Sequence, residues 1–287
     1  MTLWEAVLLG AVQGLFMFIP VSSTSHLVLV QHWIVQQGSA LPPPEAPEMI
    51  LFDLVVHVGT LVSIAVVMRA SLTRLLSGTW RDLGRFLGPD SPRRVGLQLR
   101  LFLLGLLSVA VTGAVGLVLR EQLSLAFAHP LALAATLTLT GVLLWATDVV
   151  GPQWRGLRGI TPWFAIGIGL AQAVALLPGI SRSGMTIAVA LFAGLQRRWA
   201  AEYSFFIAIP TILAGTGVQA FLVARSGEAL SVDLWAYALG FIVAAAVGVG
   251  ALLLVLHLLY RARFRYFSYY VWTLAAAVTL ASMLGIV

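Results

Sequence analysis

The chain has 287 residues, 60% of them hydrophobic and only 10% charged, with a mean hydropathy of +0.97. A soluble domain carries roughly 25% charged residues, so the composition excludes an ordinary soluble core, a disordered chain and a nucleic-acid-binding protein. The net charge of +6 rests on 17 cations, all arginine, gathered in short segments between apolar runs, and there is no cysteine, which excludes disulfides, cysteine–zinc sites and thiol chemistry. The first residues, MTLWEAVLLG, lack a positive n-region and read as mature protein, not a cleaved signal.

From the N-terminus, residues 3–19 are apolar but close to the minimum length for a span. They run into the polar, helix-breaking PVSSTSH at 20–26, with a short apolar stretch, 27–35, beyond it. Segments 50–68, 100–119 and 130–149 each approach the ~20 apolar residues a spanning helix needs. Residues 161–177 repeat the first pattern: they meet PGISRSG at 178–184 and continue only through 185–195. Segments 202–224, 234–260 and 266–287 complete the set. The expected fold is an all-α polytopic membrane protein with six transmembrane helices plus two re-entrant helical hairpins, 3–35 and 161–196. Such hairpins survive at membrane depth only when buried in protein or lining a wet cavity.

Arginine positions orient these segments. Seven of the seventeen lie in 69–100, which the positive-inside rule makes cytoplasmic. Arg155 and Arg158, Arg197 and Arg198, and Arg261, Arg263 and Arg265 then fall on the same side, whereas loops 120–129 and 225–233 hold one arginine each. The pattern closes if hairpin 161–196 enters and leaves on the cytoplasmic side and hairpin 3–35 enters from outside. The two polar tips are then expected to meet near mid-membrane.

The tips are related in sequence. Gly10-x-x-Gln13 matches Gly169-x-x-Gln172, and nine residues separate Gln13 from Ser22 and Gln172 from Ser181. Each copy then reads Pro, a short gap and a hydroxyl-rich run. The whole chain, 1–287, is read as a single membrane domain built as an inverted repeat, about 1–119 and about 130–287. Broken helices of opposite orientation converging at the midplane are the architecture of sites that handle polar substrates in a bilayer.

Around the first tip stand Ser22, Ser23, Thr24, Ser25 and His26; around the second, Ser181, Arg182, Ser183 and Thr186. An arginine at mid-membrane is costly and marks a functional site by default. Its planar fork suits phosphate, and helices resuming near Leu27 and Met185 would aim free N–H groups at an anion. His26, three residues after Ser23, can exchange a proton with a nucleophilic hydroxyl. Hydroxyl runs in membrane helices also simply pack, and a lone histidine is often a satisfied core residue, so the joint pattern carries the reading. Asp53 and His57 share a helix face, as structural support or as cavity lining. Glu202 reads as a carboxylate opposing a helix N-terminus, segment 69–100 as a topology signal or an anionic-lipid contact, and FRYFSYY at 264–270 as an interfacial aromatic belt.

With PVSSTSH at 20–26, FDLVVHVGTL at 52–61, PGISRSGMT at 178–186 and EYSFFIAIPTIL at 202–213, nearly the whole chain resembles the bacitracin-resistance type of undecaprenyl-diphosphatase. The resemblance implies hydrolysis of undecaprenyl diphosphate to undecaprenyl phosphate and inorganic phosphate in the bacterial inner (cytoplasmic) membrane, recycling the cell-wall lipid carrier, with a divalent cation (Mg or Ca) as cofactor. It maps the nucleophile to Ser23, the proton-transfer group to His26 and the phosphate clamp to Arg182. Gln13, Ser22, Thr24, Ser181, Ser183 and Thr186 support them; the metal ligands stay unassigned. The implied partners are a polyprenyl diphosphate lipid and the bilayer, with a homodimer allowed for. Two positions depart from the family. Its Glu/Gln-xxx-Glu pair is Gln13 and Met17 here, with Gln172 and Leu176 in the second repeat, and Tyr270 is followed by Val271 where an arginine is usual. Glu5 and Asp53 are the carboxylates that remain to replace the missing one. The loss keeps a second reading open, a non-hydrolytic transporter or binding protein for polyprenyl phosphate.

Overall fold

The computed structural model describes residues 1–43, 46–88, 95–119, 130–226 and 233–284, and among them it contains eleven α-helices and no strand. Five helices are long and apolar enough to cross a membrane: α3 (Pro47–Val67), α5 (Leu97–Val118), α6 (Pro130–Val149), α9 (Arg197–Ser226) and α10 (Leu234–Tyr260). The sixth expected segment forms α11 (Arg265–Met283), whose first turns carry Arg265, Tyr266, Tyr269 and Tyr270 and which falls outside that apolar set. The remaining helices are α1 (Leu3–Phe18), α2 (Ser23–Gln36), α4 (Arg69–Leu87), α7 (Pro162–Val174) and α8 (Arg182–Phe192). At 1.5 Å per residue α1, α2, α7 and α8 are about 16–24 Å long, short of the ~30 Å hydrocarbon core. Helix α1 packs on α2, and α7 on α8.

Contacts divide the chain into two compact units, Met1–Val67 with Ile209–Leu258, and Met68–Ala208 with Leu259–Val287. In the first, Thr2 and Glu5 form a reciprocal capping box that starts α1, and Glu5 also accepts from the Ser39 hydroxyl at 2.5 Å. Small residues then let backbones meet. A Cβ on Gly10 would stand 2.6 Å from the Gly240 carbonyl oxygen, one on Gly14 2.5 Å from that of Ala244, and one on Gly59 2.7 Å from that of Phe241. Helices α1 and α3 are therefore seated on α10 through small-residue contacts, the usual device of membrane helices. Ser63 donates to the Ala245 carbonyl at 2.8 Å, and Phe52 and Tyr237 meet edge to face at 5.4 Å. Leu9, Ile34, Met49, Phe52 and Val56 fill the space between.

In the second unit α7 starts at Thr161, whose hydroxyl accepts from Phe164 N, with Pro162 opening the helix. Hydroxyls pin α7 to α5: Ser108 donates to the Ala165 carbonyl at 2.8 Å and Thr112 to that of Gly169 at 2.9 Å. Helix α6 packs along α11, where the Asp148 carboxylate accepts from the N–H groups of Phe264 and Arg265 at 3.0 and 2.8 Å. Arg197 closes the same corner by donating to the Thr147 carbonyl at 2.7 Å. Helix α4 is an element the sequence reading does not contain.

Candidate active site

At the first tip the chain leaves α1 after Phe18 and turns through residues 19–22. Ser22 sits at φ 71°, ψ 90°, left-handed backbone that a serine adopts only at a cost, and α2 begins at once with Ser23. The helix had been expected to resume near Leu27. It starts a turn earlier because the bend ends at Ser22, so Ser23, Thr24 and Ser25 form the first turn of the helix themselves. Ser23 is half-buried and Thr24 exposed, whereas Ser22, Ser25 and His26 are buried. The Ser22 and Ser25 hydroxyls lie 3.0 Å apart. His26 Nδ1 is 2.8 Å from the Ser22 carbonyl oxygen, an acceptor only, so Nδ1 carries the hydrogen and Nε2 is the basic nitrogen. Phe16 of α1 stacks on the imidazole at 4.0 Å between centroids. Sequence reasoning missed Phe16, and only the α1–α2 packing brings it there.

One turn below the tip, Gln13 Nε2 donates to the Met17 thioether at 3.6 Å, and Gln13 Oε1 is buried with no hydrogen-bond partner among the described residues. Of the two carboxylates that could stand in for the missing one, Glu5 is engaged elsewhere. Glu5 is committed to its cap and to Ser39, about 18 Å down α1 from Met17. Asp53 accepts from Gln31 at 3.5 Å. Asp53 and His57 are one helical turn apart, and the bond between them joins His57 Nδ1 to the Asp53 backbone carbonyl at 2.7 Å.

The second tip is held from α6. Thr136 donates to the Pro178 carbonyl at 2.5 Å, Thr140 to that of Gly179 at 3.0 Å, and Ser181 N donates back to Thr140 at 3.4 Å. Gly179 takes φ 84°, and a Cβ there would run into Thr136 and Leu133, so the bend requires glycine. Ser181 caps α8, its hydroxyl accepting from Gly184 N at 3.1 Å and lying 3.4 Å from that of Ser183. This cap starts α8 at Arg182 instead of near Met185, which sets the guanidinium on the first residue of a helix. Thr186 and Ser204 of α9 share a hydrogen bond of 2.5 Å. Gln172, the counterpart of Gln13, donates to Thr112 at 3.0 Å. Ser204, Thr136, Thr140 and Thr112 escaped sequence reasoning because hydroxyls within apolar helices carry no signal by themselves.

Glu202 differs from its expected place. Helix α9 starts at Arg197, so Glu202 lies inside it and pairs with Arg198 at 3.1 Å, an i, i+4 contact. Arg93 and Arg94 of the arginine-rich segment lie outside the described residues.

Both tips therefore present hydroxyls at a helix start, the chemistry of an anion site. A resident cation fits them poorly. Among the described residues no three His, Asp or Glu side chains gather, and Met17 offers sulfur where hard cations take oxygen.

Similarity to known proteins agrees with this chemistry. The family model described as "Bacitracin resistance protein BacA" matches residues 6–277. A protein named undecaprenyl-diphosphatase from Alkalilimnicola ehrlichii is 57% identical over 284 residues, 97% of this chain and 96% of that protein. One of the same name from Halorhodospira halophila is 55% identical over 286 residues, 98% of each chain, and one from Desulfosudis oleivorans 38% over 272 residues, 94% of this chain and 95% of that protein.

Proposed function

The chain belongs to the bacitracin resistance protein BacA family, and from that membership we propose that it hydrolyses undecaprenyl diphosphate to undecaprenyl phosphate and inorganic phosphate in the bacterial cytoplasmic membrane. The observation that carries the reading is the pair of helix starts: Ser23 and a His26 held by the Ser22 carbonyl open α2, and an arginine between two serines opens the Ser181-capped α8.

In this reading Ser23 Oγ attacks the terminal phosphorus of the diphosphate, and His26 Nε2 takes the hydroxyl proton. The bond from that phosphorus to the bridging oxygen breaks, His26 passes the proton to the departing oxygen, and undecaprenyl phosphate leaves with His26 neutral again. Arg182, the hydroxyls of Ser22, Thr24, Ser181, Ser183 and Thr186, and the Gln13 amide bind the phosphoryl oxygens, on which charge accumulates as the bond breaks. Water activated by His26 then attacks the phosphoserine, releasing phosphate and restoring Ser23. No step is assigned to a cation. Transport without hydrolysis is the less favoured reading, because relatives sharing more than half of this chain's residues carry the diphosphatase name.

The test is product analysis by phosphorus NMR on the purified chain in proteoliposomes supplied with undecaprenyl diphosphate. The expected products are the monophosphate and free phosphate in equal amounts, and neither in Ser23→Ala. Intact diphosphate with the wild-type chain, in the presence or absence of Mg or Ca, overturns the proposal.

A further inference from the structure

Helix α4 presents three faces. One packs on α5: Leu75 and Gly78 are buried, and the Asp82 carboxylate accepts from Gln98 N at 2.9 Å and Leu99 N at 3.3 Å, so the helix's one acid is spent on starting α5. A second face carries Leu72, Leu76, Trp80, Leu83 and Leu87, which at 100° per residue form a stripe about 80° wide. Leu76, Trp80 and Leu87 are 58%, 77% and 75% exposed. The third carries Arg74, Arg81 and Arg85, within about 40° of one another and roughly opposite the stripe. None of the three forms an ion pair among the described residues; Arg74 donates to Ser71 and Arg81 to the Ser77 carbonyl on their own helix.

Connectivity fixes where this helix must be. A single residue, Met68, separates it from the candidate span α3, and another candidate span, α5, begins at Leu97. A chain that leaves the bilayer at Val67 and re-enters at Leu97 keeps α4 at one membrane surface. A soluble face there would not carry an exposed tryptophan among leucines, and a protein partner would call for acids facing the arginines. An anionic phospholipid surface supplies both apolar chains and negative charge.

We propose that α4 lies in the lipid–water interface, its Leu/Trp stripe among acyl chains and its arginines on the phosphate groups of anionic phospholipid. The chain is a convenient subject because it has no native cysteine. Nitroxide labels on Leu76→Cys and Trp80→Cys in phosphatidylglycerol-containing proteoliposomes should collide freely with oxygen and poorly with an aqueous nickel chelate. Labels on Ser77→Cys and Arg81→Cys should show the reverse. Stripe labels that are open to nickel, or shielded from both reagents as a second copy of the chain would shield them, overturn the proposal. A fluorophore on Trp80→Cys should also be quenched preferentially by brominated phosphatidylglycerol over brominated phosphatidylcholine. That preference should fall about five-fold for each arginine removed in the series Arg74→Gln, Arg81→Gln, Arg85→Gln; an unchanged preference refutes the headgroup contact.

Discussion

Gln13 and Met17 sit one helical turn apart below the first tip and touch through amide and thioether. A carboxylate at position 17 would share the α1 face that leads to Ser23, and a thioether neither accepts a proton at neutral pH nor attracts a hard cation. A weakened catalyst is therefore expected. Met17→Glu should raise the rate of phosphate release above wild type and make it respond to added Mg or Ca, while Met17→Leu leaves the rate unchanged; a steady-state phosphate assay with and without chelator reads both. His26 is held by the Ser22 carbonyl and the Phe16 ring, so His26→Gln should lower kcat by about 10²–10⁴-fold. Serine, histidine and arginine in the tip motifs were readable from sequence because they are contiguous there. Phe16 and Ser204 were not, because their contacts come from separate helices that packing brings together.

Each hairpin depends on its backing helix. Gly10 and Gly14 repeat at i, i+4 and bring α1 against the α10 backbone, so a larger residue must push the helices apart. Gly14→Leu should destabilise the protein by about 1–3 kcal/mol in a detergent thermal melt, whereas Gly250→Ala on α10, where a Cβ meets nothing within 4 Å, should not lower the melting temperature. Thr140 links α6 to both sides of the second bend. Thr140→Val should leave a carbonyl and an N–H of that bend without their partner, lowering kcat more than it alters the melt. Apolar runs of span length announced α3, α5, α6, α9 and α10 in the sequence, since their solvent selects for composition alone. Helix α4 was hidden: its mean composition is polar, and its order lies in a stripe of leucines and tryptophan spaced four, four, three and four residues apart. The early starts of α2 and α8 were also hidden, because one depends on the backbone of the break that ends at Ser22 and the other on the Ser181 cap.

Across the chain, an arginine-only cation set, long apolar helices and two short helix pairs agree on a multi-pass membrane protein. The match to relatives of equal length, covering nearly every residue, adds the reaction class. The proposal itself rests on Ser23 as nucleophile and Arg182 as phosphate clamp. The direct measurement is phosphate release from undecaprenyl diphosphate by Ser23→Ala, Arg182→Ala and the double variant, each reconstituted beside wild type. Groups acting on one transition state lose activity as a unit. Each single substitution should cost about 10³-fold or more, and the double should be no slower than the worse single. Full activity in either single variant, or losses that multiply in the double, would overturn the account.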